Sequence, residues 1–544
     1  MFRYALRRAA VCRLQQYGII LPSSHSLHKV SNDTIYALSS APGRAGIAVI
    51  RVSGPGCVDV YRNLCPTKPL PKPRHAVVRT LVEPGSTQNA NIVDSDAMVL
   101  YFPAPRTVTG EDVLELHVHG GTATVRAVLG AIPKGLSDGT IRYAEPGEFT
   151  KRAFLNNRLD LAQVESLGDA LAAETEQQRR AAVRGTSGEL GKTYEAWRAQ
   201  LLLARGEIEA LIDFSEDQHF DESPAALLAN VRQLVGQILQ SIHQHKDGSQ
   251  RNELLRNGIR IALLGPPNVG KSSLMNQIVG REASIVSPEA GTTRDIVEAS
   301  LDIRGYLCSF ADTAGIRAAE DAASPSTQDT PVGAIEQEGI RRARKKAQDS
   351  DVIIVLASVE TTTETSRLHY DAETLHLASR AQQCLVVINK CDVLNTPTLT
   401  SLIHDFQHSV LNHIPGLNAA NPVPISCLPT TPESPPPSAP IVQTIHQLTE
   451  RLVQSFSALT SLPEDMQHLL GVTERQRQLL DACQGHLEDF AAEAGDGDDS
   501  GTTWEPDVVL AAEHLRLAAN RLAAITGRGD SGDVEEVLGV IFEK

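Results

Sequence analysis

The segment that most constrains the fold is Gly265-Pro-Pro-Asn-Val-Gly-Lys-Ser-Ser273, which fits the pattern G-x-x-x-x-G-K-[ST]. An apolar run, Ile259 to Leu264, precedes it, and the helix-like Leu274 to Val279 follows. This order predicts the strand, glycine-rich turn and helix of a P-loop, whose backbone N–H groups point at phosphate oxygens. We expect Lys271 to reach the outer phosphates and the Ser272 hydroxyl to ligate Mg²⁺. The alternative is a chance glycine-rich turn, and the rest of the chain decides between the two.

Two further motifs supply the switch residues that nucleotide hydrolysis requires. Thr293, in Gly291-Thr-Thr-Arg-Asp295, would complete the Mg²⁺ shell with its hydroxyl when the γ-phosphate is present. Asp312 and Gly315 follow an apolar strand, in Phe310-Ala-Asp-Thr-Ala-Gly315. We expect Asp312 to hold Mg²⁺ through water and the Gly315 N–H to sense the γ-phosphate.

The last two motifs predict which base is bound. Asn389-Lys-Cys-Asp392 ends a buried strand, and the Asp392 carboxylate can accept hydrogen bonds from the N1–H and exocyclic amine of guanine, which adenine cannot match. Ser426 and Cys427 would lie behind the base. Together the motifs predict a guanine-nucleotide site. Its predicted residues are Asn268, Val269, Gly270, Lys271, Ser272, Ser273, Gly291, Thr292, Thr293, Asp312, Thr313, Ala314, Gly315, Asn389, Lys390, Asp392, Ser426 and Cys427.

The hydrolytic residue differs from that of Ras-type GTPases. Ras places a water-orienting glutamine after the switch glycine, whereas this chain has Ile316 there. No arginine finger is evident, although Arg294 and Arg317 lie close enough in sequence to be considered. Glu336, in Ile335-Glu-Gln-Glu-Gly-Ile340, is the candidate for orienting water. The alternative for Glu336 is an ordinary carboxylate on a helix surface.

Before the P-loop the chain is β-like and then helical. In Thr109 to Gly121, the alternation of apolar and polar residues predicts a half-buried strand with Glu115, His117 and His119 on one face. These three could bind a metal, line a ligand pocket or simply form a polar strand face. Helical patterning occupies about 160–250 and returns after a proline-rich segment, 429–440. The α/β segment is therefore predicted to be inserted in a helical domain.

The first residues have the composition of an organellar transit peptide. Arg3, Arg7, Arg8, Arg13 and Lys29 all precede the first acidic residue, Asp33. A disordered basic tail is the alternative.

The composition of the whole chain limits its partners and its compartment. The net charge of −16 excludes a broadly basic nucleic-acid wrapper, so any RNA contact must use local basic patches or a partner protein. The 8 cysteines show no C-x-x-C spacing, which is typical of a reducing compartment. No apolar run is long enough to span a membrane.

These features resemble the MnmE (TrmE) family of tRNA-modification GTPases, in particular its mitochondrial members. Besides the GTPase motifs, the resemblance rests on Asp33-Thr-Ile35, Pro42-Gly-Arg-Ala-Gly-Ile47, Arg51-Val-Ser-Gly54, Thr109-Gly-Glu-Asp112, His119-Gly-Gly121, Pro146-Gly-Glu-Phe149, Arg152-Ala-Phe-Leu-Asn156 and Leu159-Asp-Leu161. Other GTPases lack this set.

The resemblance implies a multidomain fold with an N-terminal α+β folate-binding domain that forms a homodimer, a discontinuous α-helical domain and an inserted α/β Ras-like P-loop G domain. The corresponding ranges are a transit peptide at 1–30, the folate domain at 31–150, the helical domain at 151–255 and 446–544, and the G domain at 256–445.

The resemblance also implies ligands. Arg51, Glu115 and Arg158 fall on the family's positions for a formyl-tetrahydrofolate derivative, the third being lysine in most members. Asn268, Ser287, Glu289 and Thr292 fall on the K⁺ positions, and Glu336 falls on the water-orienting glutamate. The resemblance also places the loop of Ser287, Pro288, Glu289 and Ala290 in the nucleotide site. The stretch 319–333 is insertion-like. Family members end in Cys-x-Gly-Lys, whereas this sequence ends in Ile541-Phe-Glu-Lys544, so no cysteine is given a catalytic role.

The expected function is that of a K⁺-stimulated GTPase in the mitochondrial matrix. With an FAD-dependent MnmG-like partner it would modify carbon five of wobble uridine in mitochondrial tRNA, and contact with the tRNA through that partner is one expected route. The product implied is a carboxymethylaminomethyl-type group built on a folate-derived carbon. The alternatives are a regulatory GTPase of mitochondrial ribosome assembly, and a folate-dependent methyltransferase that acts without the partner.

Overall fold

A computed structural model describes residues 33–85, 91–134, 140–214, 224–285, 300–310, 345, 347–361, 366–428, 445–494 and 507–528. Its contacts divide the chain into two compact units, one ending at Leu159 and the other beginning at Asp160. The predicted transit peptide, the switch segments, the 319–333 stretch, the proline-rich segment and the last residues lie outside the described ranges.

The N-terminal unit is built on a single mixed sheet. Its strands are β1 (Thr34–Leu38), β2 (Ile47–Ser53), β3 (Val77–Val82), β4 (Ile92–Phe102), β5 (Val113–His119) and β6 (Ile141–Tyr143). They lie in the order β3-β4-β5-β2-β1-β6, and only the β1–β6 pair is parallel. The helices are α1 (Cys57–Leu64), α2 (Thr122–Ala131) and α3 (Glu148–Leu155).

The period of two along β2 and β5 separates an apolar face from a charged one. Ile50, Val52, Leu114 and Leu116 are fully buried and belong to the same core as residues of α1 and α2. Residues between them, including Arg51 opposite Glu115, therefore lie on the other face of the sheet. This face carries Arg51 and Glu115, two of the three positions that the sequence predicts for folate binding.

The second unit contains a mostly parallel sheet with helices on both faces. Its strands are β7 (Ile259–Leu264), β8 (Ala283–Ile285), β9 (Ser300–Ile303), β10 (Tyr306–Phe310), β11 (Val352–Thr361), β12 (Ser366–His369), β13 (Gln383–Asn389) and β14 (Val423–Pro424). The order is β14-β13-β11-β7-β10-β9-β8, with β12 paired to β11. The strands from β14 to β10 run parallel, so β7 is central and its carboxyl end opens onto the sheet's ligand-binding edge.

Alternate residues of β7 are buried in two different cores. Ile261 and Leu263 pack in one core, and Ala262 and Leu264 pack in the other. The first core also takes residues of α8 (Lys271–Arg281) and α11 (Ile445–Thr460), and the second takes residues of α9 (Ala372–Ala378) and α10 (Thr396–Ser409). Helix α11, which begins at the predicted 445 boundary, thus packs on the strands that precede it.

The remaining helices form a bundle from two separate parts of the chain. They are α4 (Leu161–Ala172), α5 (Glu176–Gly185), α6 (Glu189–Phe214), α7 (Pro224–Asn257), α12 (Glu474–Glu493) and α13 (Val508–Thr526). Short 3₁₀ helices cover Cys391–Val393, Leu411–His413 and Glu464–Gly471. One core joins residues of α6 and α7 to residues of α12 and α13.

The helix ends follow ordinary capping chemistry. At the start of α4 the Asp160 carboxylate accepts from the Gln163 N–H, and the Gln163 amide oxygen accepts from the Asp160 N–H, which is a capping box. Helix α13 starts after the N-cap Asp507 and ends at Gly527, whose φ of 77° is left-handed.

The architecture confirms the predicted fold class: an α+β N-terminal domain, a discontinuous helical domain and an inserted α/β Ras-like G domain. No helix in the described ranges combines the length and the apolarity that a bilayer crossing requires.

Candidate functional site

The turn between β7 and α8 has a conformation that glycine makes possible. Gly265 has φ of 145°, and a Cβ on it would lie 2.3 Å from the Leu356 carbonyl oxygen. Gly270 has φ of 97°, and a Cβ there would lie 2.2 Å from Asn389 Nδ2. Both positions therefore exclude side chains. The sequence-predicted P-loop forms as the strand–turn–helix that its motif requires.

Lys271 is the first residue of α8 and its side chain folds back over the loop. Its Nζ donates to the carbonyl oxygens of Gly265 at 2.8 Å and Pro266 at 2.7 Å. A cation is thus placed beside the first N–H groups of a helix, which have no acceptor within the helix itself and where the helix dipole is also positive. This combination suits the outer phosphates of a nucleotide.

Asn389 joins three of the predicted motifs. It is 2% exposed, and its Nδ2 donates to the Val269 carbonyl oxygen at 2.8 Å in the P-loop. Its Oδ1 accepts from the Cys427 N–H at 3.2 Å. Lys390 makes a parallel connection, since its Nζ donates to the Asn268 carbonyl oxygen at 2.8 Å. The two residues therefore fix the base-reading segments against the phosphate loop.

Asp392 has a different environment. Within the part of the chain that the structure describes, its carboxylate accepts no hydrogen bond, and the side chain is partly exposed. It lies close to the Cys427 thiol. Burial raises the pKa of this thiol to about 11, and the Asp392 charge contributes to the rise as the second cause. The Cys427 carbonyl oxygen in turn accepts from Gln277 Nε2 of α8 at 3.2 Å. A carboxylate held beside a fixed segment can read the two donors of a guanine edge.

The remaining predicted residues of the nucleotide site fall into two groups. Val269 is buried, whereas Asn268 is exposed and has a left-handed φ of 62°. Ser272 and Ser273 lie in the first turn of α8. The others lie outside the described residues: Ser287, Pro288, Glu289, Ala290, Gly291, Thr292, Thr293, Asp312, Thr313, Ala314, Gly315 and Glu336.

On the N-terminal sheet, Arg51 and Glu115 form an ion pair across adjacent strands. Arg51 donates to Glu115 Oε1 through Nε at 3.1 Å and Nη2 at 2.9 Å. The guanidinium carbon lies 5.8 Å from the centre of the Phe149 ring, a cation–π contact. The pair is only partly exposed, at 25% and 17% of the side chains. It offers a cation, a carboxylate and an aromatic ring to a ligand.

The third predicted folate position is held separately. Arg158 Nε donates to the Thr107 carbonyl oxygen at 2.9 Å, and no contact with Arg51 or Glu115 occurs among the described residues. The alternation rule could not identify Phe149 as a neighbour of Arg51, because it comes from α3 rather than from a paired strand.

The histidines of β5 do not form a metal cluster within the described ranges. His119 Nδ1 lies 2.9 Å from Asp94 Oδ1, whereas His117 Nε2 lies 3.6 Å from Glu115 Oε2. Each imidazole therefore lies beside a carboxylate, and that of Glu115 is shared between His117 and Arg51. A polar strand face and a ligand pocket both stay predictions for this segment.

A buried charge network that the sequence does not signal lies nearby. Arg152 is 4% exposed and pairs with Asp33 at 2.7 Å, Glu111 at 3.1 Å and Glu148 at 3.1 Å. Glu111 also accepts from the Ser53 hydroxyl at 2.8 Å. The network thus connects β1, β2 and α3 with the loop before β5, and it positions the segment that follows Arg51.

Matches to two known protein families together cover almost the whole described part of the chain. A family described as "GTP-binding protein TrmE N-terminus" matches residues 34–158, and one described as "MnmE helical domain" matches residues 161–544. The second match alone covers well over half of the chain.

Full-length relatives agree with these matches. The tRNA modification GTPase MnmE of Parvibaculum lavamentivorans is 38% identical over 512 residues, which cover 94% of this chain and 98% of the relative. Two proteins named mitochondrial 5-taurinomethyluridine tRNA synthase subunit GTPB3 are each 36% identical. The Danio rerio protein aligns over 547 residues, 99% of this chain and 97% of its own. The Homo sapiens protein aligns over 522 residues, 94% of this chain and 92% of its own. The chain therefore belongs to the MnmE (TrmE) family of GTPases involved in tRNA modification.

Proposed function

We propose that this protein is the GTP-hydrolysing component of a mitochondrial-matrix complex that modifies carbon five of wobble uridine in tRNA. It acts with an FAD-dependent MnmG-like partner, through which it also contacts the tRNA, and it dimerises through its N-terminal domain. Family membership supports the tRNA-modification role. The basic leader and the mitochondrial names of two relatives support the location.

The observation that carries this proposal is the presence in one chain of a guanine-nucleotide P-loop and the Arg51–Glu115 pair. A regulatory GTPase needs the first but has no use for the second. The paired side chains suit a tetrahydrofolate derivative, since a carboxylate accepts from pterin N–H groups and a guanidinium donates to carbonyl or carboxylate oxygens. The folate derivative supplies a one-carbon unit when bound. Arg51, Glu115 and Arg158 would hold it, and Phe149 offers a ring beside it.

In the G domain, the proposal assigns a role to each group of predicted residues. Ser272 and Thr293 would ligate Mg²⁺, Asp312 would hold it through water, and Glu336 would orient the attacking water. Asn268 contributes to a K⁺ site with Ser287, Glu289 and Thr292. The position of Asn268 fits this role, because its backbone carbonyl is fixed by Lys390 while its side chain is exposed. GTP hydrolysis opens and closes the paired G domains and resets the complex, and it does not supply the modification chemistry.

Rescue of a deletion strain tests the function directly. Wild type and Lys192→Ala, which changes an exposed lysine of α6, should restore the modified wobble nucleoside, and Lys271→Ala should not. Mass spectrometry of digested mitochondrial tRNA should search for both the carboxymethylaminomethyl and the taurinomethyl forms, because the names of the relatives specify the latter. Unchanged modification in the deletion strain would reject the proposal.

A measurement of folate binding distinguishes the proposed tRNA-modification function from that of a regulatory GTPase of ribosome assembly. Calorimetry of the purified chain with 5-formyltetrahydrofolate should show binding that Arg51→Ala abolishes and that Arg62→Ala, an exposed control on α1, retains. A chain that binds no folate would favour the ribosome-assembly alternative. Modification of tRNA by this chain without an FAD-dependent partner would favour the methyltransferase alternative.

The K⁺ site has its own test. GTP turnover should fall when Na⁺ replaces K⁺ at equal ionic strength, and Asn268→Ala should remove this difference. Equal turnover in both salts would contradict the K⁺ assignment while leaving the folate assignment intact.

A further inference from the structure

Helices α12 and α13 bring two imidazoles and one carboxylate together at their interface. His486 and Asp489 are three residues apart on α12 and therefore share a face of that helix. His514 lies on α13, which packs against α12. Each of the three side chains offers one potential ligand atom, and these three atoms lie within 4.8 Å of one another. No other such group of three occurs among the described residues.

The distances are close to those of a metal site. His514 Nδ1 lies 3.8 Å from Asp489 Oδ2, and the centres of the two imidazole rings are 6.4 Å apart. Ligand atoms of a tetrahedral zinc ion lie about 3.3 Å apart, because Zn–N and Zn–O bonds are about 2.0–2.1 Å long. The candidate ligand atoms, all within 4.8 Å of one another, exceed this spacing by at most about 1.5 Å.

A second observation concerns the ring nitrogen of His514. Its Nδ1 is shielded from solvent and has no hydrogen-bond partner within the described part of the chain. Buried polar atoms are nearly always paired, so an unpaired one needs an explanation. A cation bound between His514 and Asp489 would provide the missing partner.

The charges around the cluster allow a cation. His486 lies near both Arg521 and the Asp489 carboxylate. Asp489 supplies one negative charge. The Glu513 carboxylate also lies near His514, and it pairs with Arg516. Arg521 is the neighbour that opposes a cation.

We propose that His486, Asp489 and His514 bind one divalent transition-metal ion of the zinc type, which clamps α12 to α13. Two imidazoles and a carboxylate are the ligands of zinc and similar ions, whereas Mg²⁺ and Ca²⁺ prefer oxygen atoms alone. Asp489 is 61% exposed, so a fourth ligand from solvent can complete the shell.

The position of the site gives the ion a structural role. The far end of α13 is already fixed, because Arg475 donates to the carbonyl oxygens of Ala524 at 3.1 Å and Ile525 at 3.0 Å and pairs with Glu165 of α4. The cluster lies in the half of α13 nearer its N-terminus. A bound ion there would fix the helix at a second point.

Metal titration of the purified, chelator-treated full chain tests the proposal. Isothermal calorimetry and elemental analysis of wild type should show one Zn²⁺ bound per chain. The variants His486→Asn and His514→Asn should bind Zn²⁺ at least about tenfold more weakly. Zn²⁺ should raise the melting temperature of wild type but not of these variants. Co²⁺ should give the visible absorption of a four- or five-coordinate ion in wild type alone.

A matched control comes from an exposed pair of imidazoles on α10. The rings of His404 and His408 lie 4.2 Å apart and could take up metal at the surface. His408→Asn should leave the Zn²⁺ site unchanged. If His514→Asn does not fold by circular dichroism, the exposed change Asp489→Asn answers the question with the same expected loss. Equal Zn²⁺ affinity in wild type, His486→Asn and Asp489→Asn would overturn the proposal, as would loss of the site in His408→Asn.

Discussion

The side-chain amide of Asn389 donates to the backbone carbonyl of Val269 at 2.8 Å, so a residue of the base-reading motif supports the phosphate-binding loop. The same side chain accepts from the Cys427 N–H at 3.2 Å. Both bonds lie in a nearly dry environment, since Asn389 is 2% exposed. Asn389 therefore acts through the backbone of two loops, and it couples recognition of the base to the shape of the phosphate cradle.

Asn389→Ala should weaken guanine-nucleotide binding by about 10- to 100-fold, or about 1.4–2.8 kcal/mol, because it leaves the Val269 carbonyl and the Cys427 N–H without partners and so loosens both loops. Fluorescent GDP titration measures this. Asn395→Ala is the control, since Asn395 only caps α10 by accepting from the Thr398 N–H at 3.1 Å. Equal affinities of the two variants would show that Asn389 does not support the site.

Asp392→Asn should change the preferred base from guanine to xanthine. The carboxylate accepts from two guanine donors, whereas an amide can also donate to the second carbonyl of xanthine. Two charged hydrogen bonds account for a loss of GTP affinity of at least about 10²-fold. Competition between GTP and XTP measures the preference. The exposed change Asp405→Asn on α10 should leave GTP preferred, and a variant that prefers neither base would argue against this reading.

The sequence predicted the parts of the site that depend on local order. The P-loop follows from glycines and a lysine at fixed spacing, and the common face of Glu115, His117 and His119 follows from a period of two. The role of Asn389 could not be found this way. The motif indicates base recognition, and only the fold shows that this residue contacts a loop 120 positions earlier.

The sequence also could not predict which charged residues pair across long separations in the chain. Arg152 meets the Asp33 backbone across 119 positions and Glu111 across 41, and nothing in either segment specifies the partner. The same limit applies to the His-x-His pattern of β5. Alternation identified the shared face, but the carboxylate beside His119 comes from Asp94 on a neighbouring strand.

Arg152→Ala should destabilise the N-terminal unit by about 3–5 kcal/mol, because it leaves buried carboxylates without their cation. Arg142→Ala is a matched control, since Arg142 also pairs with Asp33 and Glu148 but is 42% exposed. Its cost should be about 1 kcal/mol or less. Hydrogen exchange of the β1 amides measures the opening free energy of this unit. Equal effects of the two substitutions would mean that burial does not decide the contribution.

Acid should destabilise the helical domain through His245. This residue is 4% exposed, and its Nδ1 lies 3.0 Å from the Tyr194 hydroxyl. Burial, and then the nearby charge of His468, lower its pKa to about 3. The unfolded chain takes up a proton below pH of about 6.5 while the folded chain does not, so stability falls by up to about 1.4 kcal/mol per pH unit between those values.

His245→Gln should remove this loss of stability, because glutamine accepts from Tyr194 without titrating. Trp197 fluorescence reports the unfolding, since the Trp197 and His245 ring centres are 4.9 Å apart. Between pH 7.5 and pH 5 the wild-type free energy of unfolding should fall by about 2 kcal/mol more than that of His245→Gln. His243→Gln, an exposed change on the same helix, should keep the wild-type dependence of the unfolding free energy on pH. If all three proteins lose stability equally, the acid sensitivity arises elsewhere, and the buried imidazole makes no contribution to it.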